Sequence, residues 1–291
     1  MSLQEKTDRV KEAAEHIAAG EKASLFLDLD GTLWWAEWIP DSAREAVLKA
    51  EANGHHVYFC TGRPVGNVPA SLYELNPEGL CCSAGMTLVR EGKVIASWTM
   101  PMALVKKVIA ILQENHLGAA AATNDTVYED VFYAAKRSAF LERENREEAL
   151  KRKPLCELPE DAPVQKLYFD GDVLLDMEKL LEGLDIDVLC YFSHYNPLES
   201  QKNREPSFRG ELTWSVRNKA EALREFMKQE ETPRLALAFG DSENDLPMMG
   251  AADLAVCMGN GTEACREAAD LISEPLDQDG LYKAFSFLNL I

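Results

Sequence analysis

The chain has 291 residues, of which 46% are hydrophobic, and its 30 basic and 49 acidic side chains give a formal net charge of −19. This length exceeds one average domain, so we expect a large core with a smaller inserted or appended unit. The acidic charge argues against nucleic acid or an anionic membrane surface as the main partner. The seven cysteines lack metal-ligand spacing, the N-terminus is charged, and no apolar run reaches membrane-spanning length. Together these features favour a cytoplasmic protein with free thiols.

After a helical pattern over residues 5–19, an apolar strand delivers Asp28 and Asp30 onto a glycine turn. Alternate side chains of a strand point the same way, so the two carboxylates begin on one side of the strand's end. Their repulsion requires a divalent cation or a shared proton. Gly31 allows a sharp turn and the close approach of an anion. An Asp-Gly pair alone is typical of an ordinary turn, and the longer string Asp-Leu-Asp-Gly-Thr is the specific signal.

Three tryptophans follow this turn, at positions 34, 35 and 38. Large apolar side chains in such a place fill the core more often than they line a pocket. Core packing is therefore the first expectation, and stacking on a substrate ring is the second.

A second buried strand, over residues 55–60, ends in Thr61-Gly62-Arg63. The threonine hydroxyl and the Gly62 amide can both donate hydrogen bonds to a phosphate oxygen. Taken alone, this tripeptide is also typical of an ordinary turn. A third short strand follows over residues 80–83.

The character of the sequence changes at Met86. Alternating residues over 87–98 predict an antiparallel hairpin. We predict an inserted α+β domain over residues 86–205, between two segments of a core domain at 1–85 and 206–291. Its further predicted elements are helices over 101–114 and 174–184, strands over 164–170 and 187–193, and a return linker over 197–206.

The third segment of the chain returns to the parallel pattern. A helix over 218–227 carries Lys219 in its first turn, and the strand 235–239 ends in an acidic turn. This turn contains Asp241, Asn244 and Asp245. Acidic turns that open helices are common, so the turn is not specific by itself.

The last main strand, 254–258, is followed by a string that fits the form Gly-x-Gly-x-x-Ala of a dinucleotide fingerprint, at residues 259–264. A true fingerprint opens the first strand-helix-strand unit of its domain, whereas this string follows the last strand. We therefore expect no dinucleotide site here.

The chemical candidates lie at the predicted carboxyl ends of parallel strands. Ligands bind outside those ends, at a switch point in strand order. We expect six side chains to converge there: Asp28, Asp30, Thr61, Asp241, Asn244 and Asp245. This oxygen-rich set, without histidine or cysteine, suits octahedral Mg²⁺ that also binds a substrate phosphate. The predicted fold class is α/β, with a doubly wound, Rossmann-like parallel-sheet core and an inserted α+β cap.

The motifs resemble those of the haloacid-dehalogenase-like hydrolase superfamily, and more closely its Cof-type branch (type IIB, C2-capped). Asp-Leu-Asp-Gly-Thr at 28–32 is similar to the first family motif, Thr-Gly-Arg at 61–63 to the second, Lys219 to the third and Gly-Asp-Ser-Glu-Asn-Asp at 240–245 to the fourth. The insertion lies where that branch carries its cap. The resemblance spans nearly all of residues 23–275.

This resemblance implies a phosphohydrolase whose candidate catalytic residues are Asp28, Asp30, Thr61 and Lys219. Asp28 would attack phosphorus and form an aspartyl-phosphate, and Asp30 would protonate the leaving oxygen and then deprotonate water. Mg²⁺ would be bound by the Asp28 carboxylate, the Asp30 main-chain carbonyl and Asp241. Asn244 and Asp245 would brace the metal waters, the phosphate and Lys219. The residues implied to bind phosphate are Asp28, Thr61, Gly62, Lys219 and Asn244.

Two departures from the family pattern stand out. Ala220 follows Lys219 where members often have glycine, and Ser83-Ala84-Gly85 stands where members often read Asn-Gly-Ala. The cap matches only in pattern, so the expected substrate is a small phosphorylated metabolite, with a sugar phosphate first.

Two other functions stay open at this point. A phosphomutase would use the same aspartyl-phosphate and return the phosphoryl group to a sugar. A non-catalytic binding protein on the same fold is disfavoured, because every motif carboxylate is present. The sequence does not predict the oligomeric state.

Overall fold

The computed structural model describes residues 2–35, 38–144, 150–192 and 208–291. The chain forms two compact units. The core unit consists of residues 1–62, 69–96 and 218–291, and the cap unit consists of residues 63–68 and 97–217. No described helix combines the length and the hydrophobicity needed to span a bilayer.

Helices and strands alternate through the first and last parts of the chain. The helices are α1 (Leu3–Ala18), α2 (Asp41–Ala52), α3 (Ala70–Tyr73), α4 (Met102–Glu114), α5 (Val131–Glu144), α6 (Met177–Leu180), α7 (Lys219–Met227), α8 (Leu246–Ala251), α9 (Glu263–Ala268) and α10 (Gly280–Phe287). The strands are β1 (Ala23–Asp28), β2 (His56–Cys60), β3 (Gly79–Cys82), β4 (Thr87–Arg90), β5 (Lys93–Ser97), β6 (Gly118–Ala122), β7 (Thr126–Glu129), β8 (Lys151–Pro154), β9 (Lys166–Gly171), β10 (Ile186–Phe192), β11 (Phe208–Trp214), β12 (Leu235–Gly240), β13 (Leu254–Cys257) and β14 (Leu271–Ile272).

The core unit is built on an eight-stranded sheet with the order β14-β13-β12-β1-β2-β3-β4-β5. Neighbouring strands from β14 to β3 are parallel. β1 is buried along its whole length, as expected for a parallel strand covered on both faces. The strand order reverses at β1, which lies between β2 and β12. This arrangement confirms the predicted doubly wound α/β fold and sets the ends of β1 and β12 side by side at the switch point.

A partly buried polar network around Glu230 joins the amino ends of the central strands. The Glu230 carboxylate accepts hydrogen bonds from Ser24 Oγ at 2.5 Å and from the Tyr58 hydroxyl at 2.9 Å, and it lies 2.9 Å from His56 Nδ1. Burial by itself would raise the pKa of Glu230, but these hydrogen bonds outweigh burial and lower the pKa. The network therefore fixes the end of the sheet opposite to the carboxyl ends of β1 and β2.

The hairpin of β4 and β5 belongs to the core sheet, although the sequence analysis places it in the inserted domain. β4 pairs with β3 in antiparallel register, with Leu80 opposite Val89 and Cys81 opposite Leu88. Leu88 and Val89 are buried by this pairing. An alternating pattern predicts a hairpin, but it does not specify which sheet the hairpin joins, because that depends on residues distant in sequence.

The cap unit contains a six-stranded sheet with the order β10-β11-β9-β6-β7-β8. Its neighbouring strands are antiparallel except for β7 and β8. Lys166 of β9 is completely buried and forms an ion pair with Glu211 of β11. The cap unit is therefore an α+β structure with a charged pair in its interior.

The bounds of the cap unit differ from the predicted 86–205. It begins later because the hairpin joins the core sheet, and it ends at residue 217 because β11 pairs with β9 and β10. The predicted linker 197–206 lies outside the described residues. The helix predicted over 174–184 is shorter in the structure. Asp176 caps its first turn, so α6 begins at Met177, and it ends at Leu180.

Candidate active site

Three predicted site residues lie at one edge of the core sheet. Asp28 is the last residue of β1, and its Cα partner is Cys60, the last residue of β2. Thr61, the residue after Cys60, therefore lies close to Asp28. Asp241 follows the last residue of β12, on the other side of β1. Asp28, Thr61 and Asp241 are each at most 4% exposed, so their polar groups are removed from bulk water.

A buried ion-pair network joins Lys219 to this edge. The Lys219 Nζ donates to Asp28 Oδ1 at 2.5 Å, to Asp245 Oδ1 at 2.6 Å and to Asn244 Oδ1 at 3.3 Å. The side chains of Lys219, Asp28 and Asp245 are at most 6% exposed. Lys219 is the first residue of α7, and the preceding Asn218 caps that helix. The start of α7 thus delivers an ammonium group between two motif carboxylates.

Burial and neighbouring charges set the pKa values in this network. Burial and, second, the charge of Asp245 raise the pKa of Asp28 to about 8 against the opposing effect of Lys219. Burial would lower the pKa of Lys219, but the charges of Asp245 and Asp28 outweigh it and raise that pKa well above its ordinary value. Lys219 is therefore charged, and a further cation beside Asp28 would favour the ionised form of that carboxyl.

The side chain of Asp245 fixes the turn after β12. Its Oδ2 accepts hydrogen bonds from the backbone N–H of Asp241 at 3.0 Å and of Ser242 at 3.1 Å. Ser242 Oγ donates to Asn244 Oδ1 at 3.1 Å. A Cβ atom at Gly240 would lie 2.5 Å from that of Asp245, so a larger residue would force this carboxylate away. One oxygen of Asp245 thus holds the turn, and the other holds the ammonium group.

Three buried carboxylates form a group that fits a divalent cation. One oxygen from each of Asp28, Asp241 and Asp245 lies within 4.8 Å of the others. Lys219 offers one positive charge to this group, so further positive charge is needed when all three are ionised. Carboxylate oxygens are the donors that Mg²⁺ prefers. Gly31, with a φ of 96°, leaves the space for Asp241, whose Cγ would lie 2.8 Å from a Cβ at Gly31.

The Asp30 side chain forms a hydrogen bond with a tryptophan side chain. Trp34 Nε1 donates to Asp30 Oδ1 at 3.0 Å. Trp34 is 1% exposed, so it fills the core as first expected, whereas Trp38 is 46% exposed. No pattern in the sequence predicts this hydrogen bond between Trp34 and Asp30. The only available signal was an indole N–H donor four residues after Asp30.

The loop after β13 also contacts the site, although no local pattern predicts it. Asn260 Nδ2 donates to the Gly31 carbonyl at 2.9 Å, and the Thr262 N–H donates to the Asp241 carbonyl at 2.8 Å. A Cβ atom at Gly261 would lie 3.0 Å from that same carbonyl oxygen. In the string that resembles a dinucleotide fingerprint, Gly261 therefore allows close packing against the turn after β12, and Asn260 holds the turn after β1.

A family model described as haloacid dehalogenase-like hydrolase matches residues 25–285. The chain belongs to this family. The match confirms the resemblance drawn from the four motifs, and it includes the strands that carry Asp28, Thr61 and Asp241.

Two relatives from Bacillus subtilis match this hydrolase over nearly their full length. The putative phosphatase YkrA of Bacillus subtilis is 25% identical over 279 residues, which cover 92% of this chain and 98% of YkrA. The 5-amino-6-(5-phospho-D-ribitylamino)uracil phosphatase YitU of Bacillus subtilis is 23% identical over 278 residues, which cover 88% of this chain and 94% of YitU. The solved structure of the subclass IIB sugar phosphatase BT4131 matches with a TM-score of 0.76 at 22% identity, over 92% of this chain and 100% of that chain. The last match shows a shared fold.

Proposed function

We propose that this hydrolase is a Mg²⁺-dependent phosphatase that cleaves a small phosphorylated metabolite through an aspartyl-phosphate on Asp28. The observation that carries the proposal is the buried group of Asp28, Asp241 and Asp245, with Lys219 bound to two of its members. An anionic nucleophile can approach an anionic phosphate only where positive charge compensates both. The charged Lys219 supplies one of the positive charges that such an approach needs.

Asp28 is the proposed nucleophile. One of its carboxylate oxygens forms a bond to phosphorus while the ester P–O bond breaks, which leaves the phosphoryl group on Asp28. Asp30 gives its proton to the departing ester oxygen. In the second step Asp30 removes a proton from a water molecule, whose oxygen attacks phosphorus. The bond between phosphorus and Asp28 then breaks, and inorganic phosphate leaves.

The surrounding residues hold these groups in place. The Trp34 indole N–H, 3.0 Å from Asp30 Oδ1, orients the proposed acid and base. Lys219 lies 2.5 Å from the nucleophile, close enough to hydrogen-bond a phosphate oxygen that meets Asp28. The further proposed phosphate donors are the Thr61 hydroxyl and the Gly62 amide.

Mg²⁺ would be held by the carboxylates of Asp28 and Asp241 and by the main-chain carbonyl of Asp30. When bound, it would neutralise charge on the nucleophile and on the phosphate oxygens. The hydrogen bonds of Asp245 to the turn and to Lys219 fit a bracing role beside the metal. Asn244, which accepts from Lys219 at 3.3 Å, fits the same role.

A sugar phosphate is the substrate class that we propose first. BT4131 is described as a sugar phosphatase, and YitU acts on a phosphorylated ribityl compound. Sugars and ribityl chains both carry several hydroxyl groups. The sequence match with YitU and the fold shared with BT4131 support a small phosphorylated metabolite as the substrate here.

A panel of phosphorylated metabolites, assayed for phosphate release with Mg²⁺ and with EDTA, tests the proposal. The wild type is compared with Asp28→Asn and with the exposed control Asp277→Asn. We expect Mg²⁺-dependent hydrolysis that falls by about 10³-fold or more in Asp28→Asn only. Turnover retained by Asp28→Asn would exclude Asp28 as the nucleophile. Isomerisation stimulated by a sugar bisphosphate, with little phosphate released, would identify a phosphomutase instead.

A further inference from the structure

The turn after β3 has an unusual backbone. Ser83, Ala84 and Gly85 have φ values of 49°, 54° and 108°, so three consecutive residues lie in the left-handed region. Glycine adopts this region readily, but serine and alanine do so against their own preference. Ser83 Oγ is also buried without a hydrogen-bond partner. Such strain persists where the surroundings impose one geometry, and it concentrates at functional sites.

This turn touches the segments that carry two of the proposed phosphate-binding residues. The Ala84 N–H donates to the Thr61 carbonyl at 3.0 Å. Next to it, Gly85 lies against the backbone of Asn218, because a Cβ atom at Gly85 would overlap the Asn218 carbonyl oxygen and lie 2.6 Å from its carbon. Asn218 immediately precedes Lys219. The strained turn therefore packs directly against the start of α7.

The backbone on either side of Lys219 is held by two sets of contacts. From within the helix, the Asn218 side chain accepts hydrogen bonds from the backbone N–H of Ala220 at 3.0 Å and of Glu221 at 3.3 Å. From outside the helix, Gly85 packs against the Asn218 carbonyl group more closely than a residue with a Cβ atom could. Both contacts act on the backbone that carries the Lys219 ammonium.

We propose that Gly85 and Asn218 are positioning residues that set the approach of Lys219 to the phosphoryl group, an inference that rests on the proposed phosphatase function. Lys219 Nζ makes buried contacts of 2.5 Å with Asp28 and 2.6 Å with Asp245. Because a hydrogen bond weakens steeply over a few tenths of an ångström, a backbone shift of about 1 Å would break one of these contacts. The strained turn is thus part of the catalytic geometry.

The first test compares Gly85→Ala with Gly20→Ala. The two glycines have similar φ values, 108° and 101°, but a Cβ atom at Gly20 meets nothing within 4 Å. Gly20→Ala therefore carries the backbone strain without the displacement. We expect Gly85→Ala to lower kcat about 30-fold with KM changed less than about threefold, because Lys219 stabilises charge that develops in the transition state. We expect Gly20→Ala to keep both constants.

Asn218 provides the second test, which also covers the case in which Gly85→Ala does not fold. Asn218→Ala removes the helix cap, whereas Asn218→Ser keeps a capping oxygen. We expect kcat to fall about tenfold in Asn218→Ala and to return to within about twofold of wild type in Asn218→Ser. A purely structural role would lower the melting temperature of Asn218→Ala and leave its kcat unchanged well below that temperature.

A double-mutant cycle with Lys219→Met separates positioning from general damage. If Asn218 acts through Lys219, the double variant Lys219→Met/Asn218→Ala is as active as Lys219→Met alone. Multiplied losses, or a normal kcat in both Gly85→Ala and Asn218→Ala, would overturn the positioning role. Wild-type activity in Asp28→Asn would instead overturn the proposed phosphatase mechanism, so the two failures are distinguishable.

Discussion

Replacing Asp28 by asparagine should change how the stability of the metal-free protein depends on pH. Burial and the charge of Asp245 raise the pKa of Asp28 from 3.8 to about 8 in the folded protein. A carboxyl whose folded-state pKa is raised is more easily ionised when the chain unfolds. Stability therefore falls as pH rises from the unfolded pKa to the folded one. Asparagine has no proton to lose, so this contribution disappears in Asp28→Asn.

The size of the effect follows from the width of this pH interval. One group that binds a proton only in the folded state changes the free energy of unfolding by ~1.4 kcal/mol per pH unit. Between about pH 5 and pH 8 the sum is roughly 4 kcal/mol, before relaxation of the site reduces it. Relative to wild type, Asp28→Asn should gain stability by this amount across the interval and gain little more above it.

Urea unfolding in EDTA over this pH range measures the difference directly. Groups that titrate equally in both proteins cancel when the two free energies of unfolding are subtracted. Asp277→Asn, at an exposed position, serves as the matched control and should run parallel to wild type. If Asp28→Asn also runs parallel to wild type, the buried and crowded carboxylate inferred at this position is wrong.

Three further predictions concern single contacts. In EDTA, Lys219→Met should lower the free energy of unfolding by about 3–5 kcal/mol in urea, because it leaves buried carboxylates without their ammonium partner. The exposed control Lys228→Met should lower it by less than about 0.5 kcal/mol. Equal losses in the two variants would contradict the buried network. Trp34→Phe keeps an aromatic ring in the core, although with less packing than the larger indole, and it removes the hydrogen bond to Asp30. Steady-state assays well below the melting temperature should show kcat lowered about tenfold at nearly constant KM. An unchanged kcat would remove the orienting role. Glu230→Gln should destabilise the protein above the ordinary pKa of glutamate and converge with wild type as pH falls through the lowered pKa. Phosphatase activity should persist in Glu230→Gln, and a stability gap that does not narrow in acid would contradict the lowered pKa.

Much of the core could be predicted because its signals are local. Uninterrupted apolar runs predicted β1, β2 and β12, and the carboxyl-end rule then predicted that Asp28 and Asp241 would meet although they are far apart in sequence. The structure places them in a group with Asp245. The motif order also predicted the family, which the match over residues 25–285 confirms.

Features that depend on tertiary pairing could not be predicted in the same way. The β4–β5 hairpin has the alternation of any hairpin, and only its pairing with β3 assigns it to the core. The hydrogen bond from Trp34 to Asp30 depends on a side-chain direction, and the contact of Gly85 with Asn218 joins residues that no local pattern connects. For these features, the residue types indicate which interactions are possible, but only the folded structure shows which groups lie close together.

The position of β12 beside β1 has a consequence for synthesis on the ribosome. β12 begins at Leu235, which is 235 − 28 = 207 residues after the end of β1. At a translation rate of about 5–20 residues per second, β12 is synthesised roughly 10–40 s after β1. During that time the apolar segment Leu25–Leu27 has one unpaired edge, which is a template for wrong pairing between chains. Chaperone occupancy of nascent chains should therefore peak before Leu235 emerges from the exit tunnel.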